Sequence, residues 1–84
     1  MKDLLNYIVQ NLVTKPEAVS IEEDNQDGTV NLNLTVDHED MGLIIGKGGQ
    51  TIKSIRKLLI VRAMAENVRV NLQLIEPAGD VSNK

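Results

Sequence analysis

Between Ile44 and Gly49 the chain reads IIGKGG, and a helical run bearing Lys53, Arg56 and Lys57 follows at once. Glycine has no Cβ, so a stretch of this kind lets the backbone turn sharply and approach a ligand closely. A helix that starts at such a turn points N–H groups and the positive end of its dipole into it, a geometry suited to an anion. The three cations, spaced i, i+3 and i+4, group on one side of that helix next to the turn. The chemistry on offer is phosphate recognition, and the question is whose phosphate.

Free nucleotides fit poorly. Only three residues separate Gly42 from the Gly46-Lys47 pair, where a Walker A loop has four, and the lysine is followed by Gly48 instead of Ser or Thr. The segment also leaves a helix, whereas a Walker A loop leaves a strand. Gly46-Lys47-Gly48-Gly49 is not G-x-G-x-x-G, and no βαβ unit surrounds it. At 84 residues the chain makes one small domain, too short for a nucleotide-binding fold with a substrate domain.

The formal charge of -3 conceals an asymmetry. Residues 41–65 hold Lys47, Lys53, Arg56, Lys57 and Arg62 and no acid, which makes that segment +5; the remainder carries four cations against all twelve acids. A cationic segment inside an acidic protein fits a local anion site better than a generally basic surface. The chain has no cysteine, Phe or Trp and one Tyr, so disulfides, thiolate metal sites and cysteine nucleophiles are excluded. Its core must be Leu, Ile and Val. The start Met1-Lys2-Asp3-Leu4-Leu5 lacks the apolar centre of a signal peptide, and no apolar run approaches the ~20 residues of a membrane span. The expected location is the cytoplasm.

The elements that must position the turn are legible from periodicity. Leu4, Leu5, Ile8, Val9 and Leu12 predict an amphipathic helix over 3–13, ended by Thr14-Lys15-Pro16. A short strand is expected over 18–24, a turn at Asp27-Gly28, and a second strand in which Val30, Leu32, Leu34 and Val36 alternate with polar residues. The two strands should form an antiparallel hairpin. Asp37 suits the N-cap of a short helix over 38–45, with Gly46 in a left-handed αL position at its end. A second helix over 49–65 carries Ile52, Ile55, Leu59 and Ala63 on one stripe. Val68, Val70, Leu72 and Leu74 mark a third strand, and residues 77–84 are expected to be a flexible tail.

The resulting order is αββααβ, with Gly46-Lys47-Gly48-Gly49 joining two helices, Ile44 and Ile45 before it and Ile52 and Ile55 after it. This arrangement resembles the KH domain in its type II form, over residues 1–76. The stretch HEDMGLIIGKGGQTIKSIRKLL, together with single-domain length, is similar to the small bacterial KhpA family. The resemblance implies an α+β fold in which three helices pack on one side of a three-stranded sheet. It also implies single-stranded RNA as ligand, since KH modules clamp about four nucleotides with such a loop. On this likeness Lys47 and Gly48 touch the backbone, Ile44 and Ile45 help form an apolar groove under the bases, and Lys53, Arg56 and Lys57 flank the strand. Gln50 stands where related proteins often have a basic residue, which implies weaker phosphate binding.

The other eye-catching residues have plainer roles. His38 lacks a second histidine or a cysteine, so no metal site is expected, and Glu22, Glu23 and Asp24 read as a solvated strand end. No nucleophile with a base can be assembled, so neither catalysis nor a cofactor is expected. Ile60, Val61 and Met64 exceed what one core stripe uses, and surplus apolar surface marks a partner site. The resemblance implies self-association, and association with a larger KH protein of the KhpB (Jag) type. A protein-interaction subunit whose RNA contact is incidental is therefore the alternative to an RNA-binding dimer.

Overall fold

A computed structural model describes residues 1–76; the expected tail, 77–84, lies outside the described residues. The element order is α1 (Lys2–Gln10), β1 (Ser20–Gln26), β2 (Thr29–Thr35), α2 (Met41–Ile45), α3 (Gln50–Ala65) and β3 (Arg69–Ile75), the expected αββααβ. No helix among the described residues is long and apolar enough to cross a membrane.

The sheet has the order β1-β2-β3. β1 and β2 form the anticipated antiparallel hairpin, closed by Asp27 and Gly28 at φ 51° and 78°. Two consecutive left-handed residues make a tight turn whose twist matches that of the flanking strands. β3 runs parallel to β2, with Leu32 opposite Leu72, and the α2–α3 pair forms the crossover that parallel pairing requires. Val30, Leu32 and Leu34 of the central strand are buried, as is Val36 just beyond it, against Leu5 and Val9 of α1, Ile44 of α2 and the Ile52, Ile55, Leu59 stripe of α3. Removing one such side chain, Leu32→Ala for example, costs about 2–5 kcal/mol.

The boundaries of α1 and β1 depart from the sequence reading. α1 ends at Gln10, not at 13, where the Asn11 side chain donates to the Tyr7 carbonyl at 2.7 Å and competes with the helix for it. β1 begins at Ser20 because Pro16–Ala18 form a 3₁₀ turn that consumes the residues before it. α3 ends at Ala65, as expected, in a Schellman cap built on Asn67 at φ 60°, with the Val68 N–H on the Ala63 carbonyl and the Asn67 N–H on the Met64 carbonyl. The short helical segment begins as expected at Asp37, whose carboxylate accepts from the Glu39 N–H at 2.9 Å, but it divides into a 3₁₀ turn, His38–Asp40, and α2.

Asp40, directly ahead of α2, is the buried charged residue of the core. Its Oδ1 accepts from the Thr14 N–H and hydroxyl at 3.1 and 2.8 Å, and its Oδ2 from the Lys15 N–H at 3.0 Å. The connection between α1 and β1 is thereby tied to the start of the helix that leads into the glycine turn. Burial raises the Asp40 pKa, but the Thr14 and Lys15 hydrogen bonds and the Lys15 charge outweigh it and hold the carboxyl below its ordinary value. A depressed carboxylate pKa stabilises the fold above the unfolded-state value, near 3.9, and that contribution fades as pH falls through the folded-state value. Asp40→Asn is therefore expected to lower the melting temperature by roughly 5–15 °C at pH 7. The deficit should shrink below about pH 4, which thermal melts at pH 7 and at acid pH would check.

Candidate nucleic-acid interface

The turn between α2 and α3 depends on three glycines with positive φ. Gly46 has φ 76° and ψ 171°, so it does not occupy the αL position expected for it. It lies in a region open essentially to glycine alone. A Cβ there would fall within 2.6 Å of the Thr51 Cβ and 2.8 Å of the Thr51 backbone nitrogen, so the first turn of α3 closes directly over residue 46. Gly48, at φ 65° and ψ 18°, and Gly49, at φ 78° and ψ 13°, supply the left-handed residues instead. Neither has a neighbour near its missing Cβ, so their constraint is conformational and that of Gly46 is steric as well.

Lys47–Gly49 forms a short 3₁₀ turn, pinned by the Gly46 N–H on the Gly42 carbonyl (2.8 Å) and the Gly49 N–H on the Gly46 carbonyl (3.1 Å). Lys47 and Gly48 are exposed at its tip, and the N-terminal end of the sixteen-residue α3 follows immediately. A helix dipole and a lysine thus meet at one accessible turn, an arrangement that favours an anion.

Lys53, Arg56 and Lys57 are all exposed on α3. Among the described residues, none of these three nor Lys47 forms an ion pair, while Arg62 is taken up by Glu66 at 2.6 Å. Arg56 differs from the two lysines. Its Nη2 donates to the Leu72 carbonyl of β3 at 3.3 Å, which turns the guanidinium toward the sheet edge. There it helps line an open groove of about 670 Å³ with Leu59 and Ile60 of α3, Leu32 of β2, Val70 and Leu72 of β3, and the amide residues Asn31, Asn33, Asn71 and Gln73.

The apolar residues sort differently from their sequence order. Ile44 is 0% exposed and belongs to the core, so it supports any groove only from beneath; Ile45 at 38% and Leu43 at 46% are the α2 side chains that reach the surface. Ile60 lines the α3–β3 groove, and Met64 lies in a separate hollow with Asp27, Gly28, Asn67 and Arg69. Val61, 65% exposed, borders neither. At 100° per residue it shares the other flank of the helix with Leu58, which is 53% exposed. The groove residues on β3 were not singled out from the sequence. Their alternation marked a strand, but nothing local states that this strand pairs parallel to β2 and comes to lie beside Arg56.

A family profile described as KhpA/KhpB, KH domain, matches residues 2–74. The chain is 50% identical over 76 residues to the RNA-binding protein KhpA of Chlamydia trachomatis, covering 90% of this chain and 97% of that one. It is 40% identical over 75 residues to the RNA-binding protein KhpA of Clostridium perfringens, covering 89% of this chain and 100% of the relative. Among solved structures, Aquifex aeolicus Era bound to GDP and aluminium fluoride superposes with a TM-score of 0.59 at 21% identity, over 88% of this chain and 29% of Era. That is a likeness of fold alone. Because the family match runs from α1 through the glycine turn into β3, at up to half identity with full-length relatives, the chain belongs to the KhpA/KhpB KH-domain family.

Proposed function

We propose that this chain is a cytoplasmic single-stranded RNA-binding protein, a non-catalytic RNA chaperone or post-transcriptional regulator. The Gly46–Gly49 turn holds backbone phosphates, and Lys53 and Lys57 flank the strand. The observation that carries this reading is the exposed turn itself, held open by the Gly46–Thr51 approach, with Lys47 at its tip and α3 starting behind it. The relatives named as RNA-binding proteins support it. So does the charge pattern: β1, at the far edge of the sheet, bears Glu22, Glu23 and Asp24, which disfavours a polyanion there.

The second reading is assembly, with a second copy or with a larger KH protein of the KhpB type. What favours it is the exposed Leu58–Val61 pair on α3, apolar surface that no described element covers. The two readings are compatible, since Leu58 and Val61 lie on the flank of α3 away from the groove.

Replacing Lys47 and Gly48 together by Asp tests the first reading. Aspartate tolerates αL dihedrals better than most residues, so the Gly48 change costs about 1 kcal/mol and the fold survives. Affinity for a short single-stranded RNA should fall at least tenfold, about 1.4 kcal/mol, because two carboxylates replace a charge-assisted contact. The log–log salt slope of the wild type should lie between roughly -1.5 and -3, as two to four phosphate contacts require. A folded double variant that binds RNA like the wild type would remove the turn from the site. For assembly, Val61→Glu should convert a micromolar dimer into a folded monomer in sedimentation, with circular dichroism unchanged because residue 61 makes no core contact. A wild type that is monomeric at high concentration contradicts this.

A further inference from the structure

Of the three cations grouped beside the glycine turn on α3, Lys53, Arg56 and Lys57, one is fixed in place. Lys53 and Lys57 extend into solvent, whereas Arg56 is tethered by one of its five N–H donors to the Leu72 carbonyl of the edge strand β3. The groove it helps line also holds Leu59, Ile60, Val70 and Leu72, with amide side chains of β2 and β3. Aliphatic walls suit the flat face of a base and offer nothing to a phosphate. The phosphate chemistry is concentrated at Lys47 and the start of α3. The single tyrosine, Tyr7, lies on α1 and does not line the groove, so base identity must be read there by hydrogen bonding and not by aromatic stacking.

We infer that Arg56 is a specificity-determining residue, and that it selects a base presenting two neighbouring hydrogen-bond acceptors on one edge. Guanine does so through O6 and N7, the edge that arginine engages in a fork, and cytosine does so through O2 and N3. Adenine and uracil place a donor next to each acceptor on their Watson–Crick and Hoogsteen edges, and meet a donor-only guanidinium with one bond at most. The Leu72 carbonyl holds the fork at the rim of the groove before any strand arrives, which lowers the cost of ordering it. Lysine in the same place keeps the charge and loses the fork.

This inference rests on the RNA-binding reading, and the experiment separates the two. Fluorescence anisotropy is measured with four RNA octamers, all uridine or uridine with one central cytidine, guanosine or adenosine, against the wild type, Arg56→Lys and the Lys47/Gly48 double aspartate variant. The wild type is expected to bind the cytidine or the guanosine octamer at least fivefold more tightly than the other two. A preference for cytidine alone identifies the O2/N3 edge, and one for guanosine alone the O6/N7 edge. Arg56→Lys should remove the preference while keeping the salt slope, and the double aspartate variant should weaken all four octamers together. Equal wild-type affinity for all four, or a preference that survives Arg56→Lys, overturns the role of Arg56. So does a uniform loss in Arg56→Lys with a shallower salt slope, which would make the residue a phosphate contact. A wild type that binds none of the octamers overturns the RNA-binding reading and this inference with it.

Discussion

Everything at the candidate interface depends on the approach of Thr51 to a residue without a side chain. The first turn of α3 folds back over Gly46 so closely that a methyl group there would meet both the Thr51 side chain and its backbone nitrogen. The dihedrals of residue 46, with ψ near 171°, bar other residues independently. That one contact sets the angle at which α2 leaves and α3 begins. It therefore decides that Lys47 and Gly48 stand at an exposed tip, and that the α3 stripe of Ile52, Ile55 and Leu59 faces the sheet. Gly48 and Gly49 are permissive in a weaker sense, since space is open around both and only the sign of φ constrains them.

The rest of the chain holds that turn still. β2 is paired on both sides and is the most buried strand, so the crossover that starts from its end is anchored in the part of the protein least able to move. Asp40 fastens the beginning of the crossover to the α1–β1 connection with three hydrogen bonds, a use of a buried carboxylate that is stable because each bond comes from a donor that would otherwise need water. The partly exposed Lys15 pairs with Glu39 and Asp37, at 3.1 and 3.7 Å, lie over the same joint and add little by comparison. The Asn67 cap and the bond from the Arg69 N–H to the Gly28 carbonyl close the other end of the crossover. A domain with no Phe or Trp thus compensates for modest apolar burial with well-capped joints.

Charge is distributed to match. The acidic strand β1 and the cationic α2–α3 segment lie at separate places in the fold, so positive charge is concentrated beside the glycine turn although the protein as a whole is acidic. Arg62, nominally part of the cationic run, is neutralised by Glu66 one turn later, so the effective positive patch is smaller than the residue count implies.

What the sequence determined by itself were the features set by neighbours in the chain. The alternation of β2, the α3 stripe, the Asp27-Gly28 turn and the glycine-rich link between two helices are all local patterns, and the structure places each where periodicity put it. Tertiary structure decided what depends on residues distant in sequence. Ile44 and Ile45 are adjacent and chemically alike, yet one is sealed in the core and the other reaches solvent, because α2 is only five residues long and its burial is set by the sheet beneath it. Ile60, Val61 and Met64 form one apolar group on paper and fall on different surfaces in space, since a step of one residue rotates a helical side chain by about 100°. Arg56 belongs by spacing with Lys53 and Lys57. Only the parallel pairing of β3 with β2, a contact across forty residues, brings the Leu72 carbonyl within its reach and makes it part of a groove.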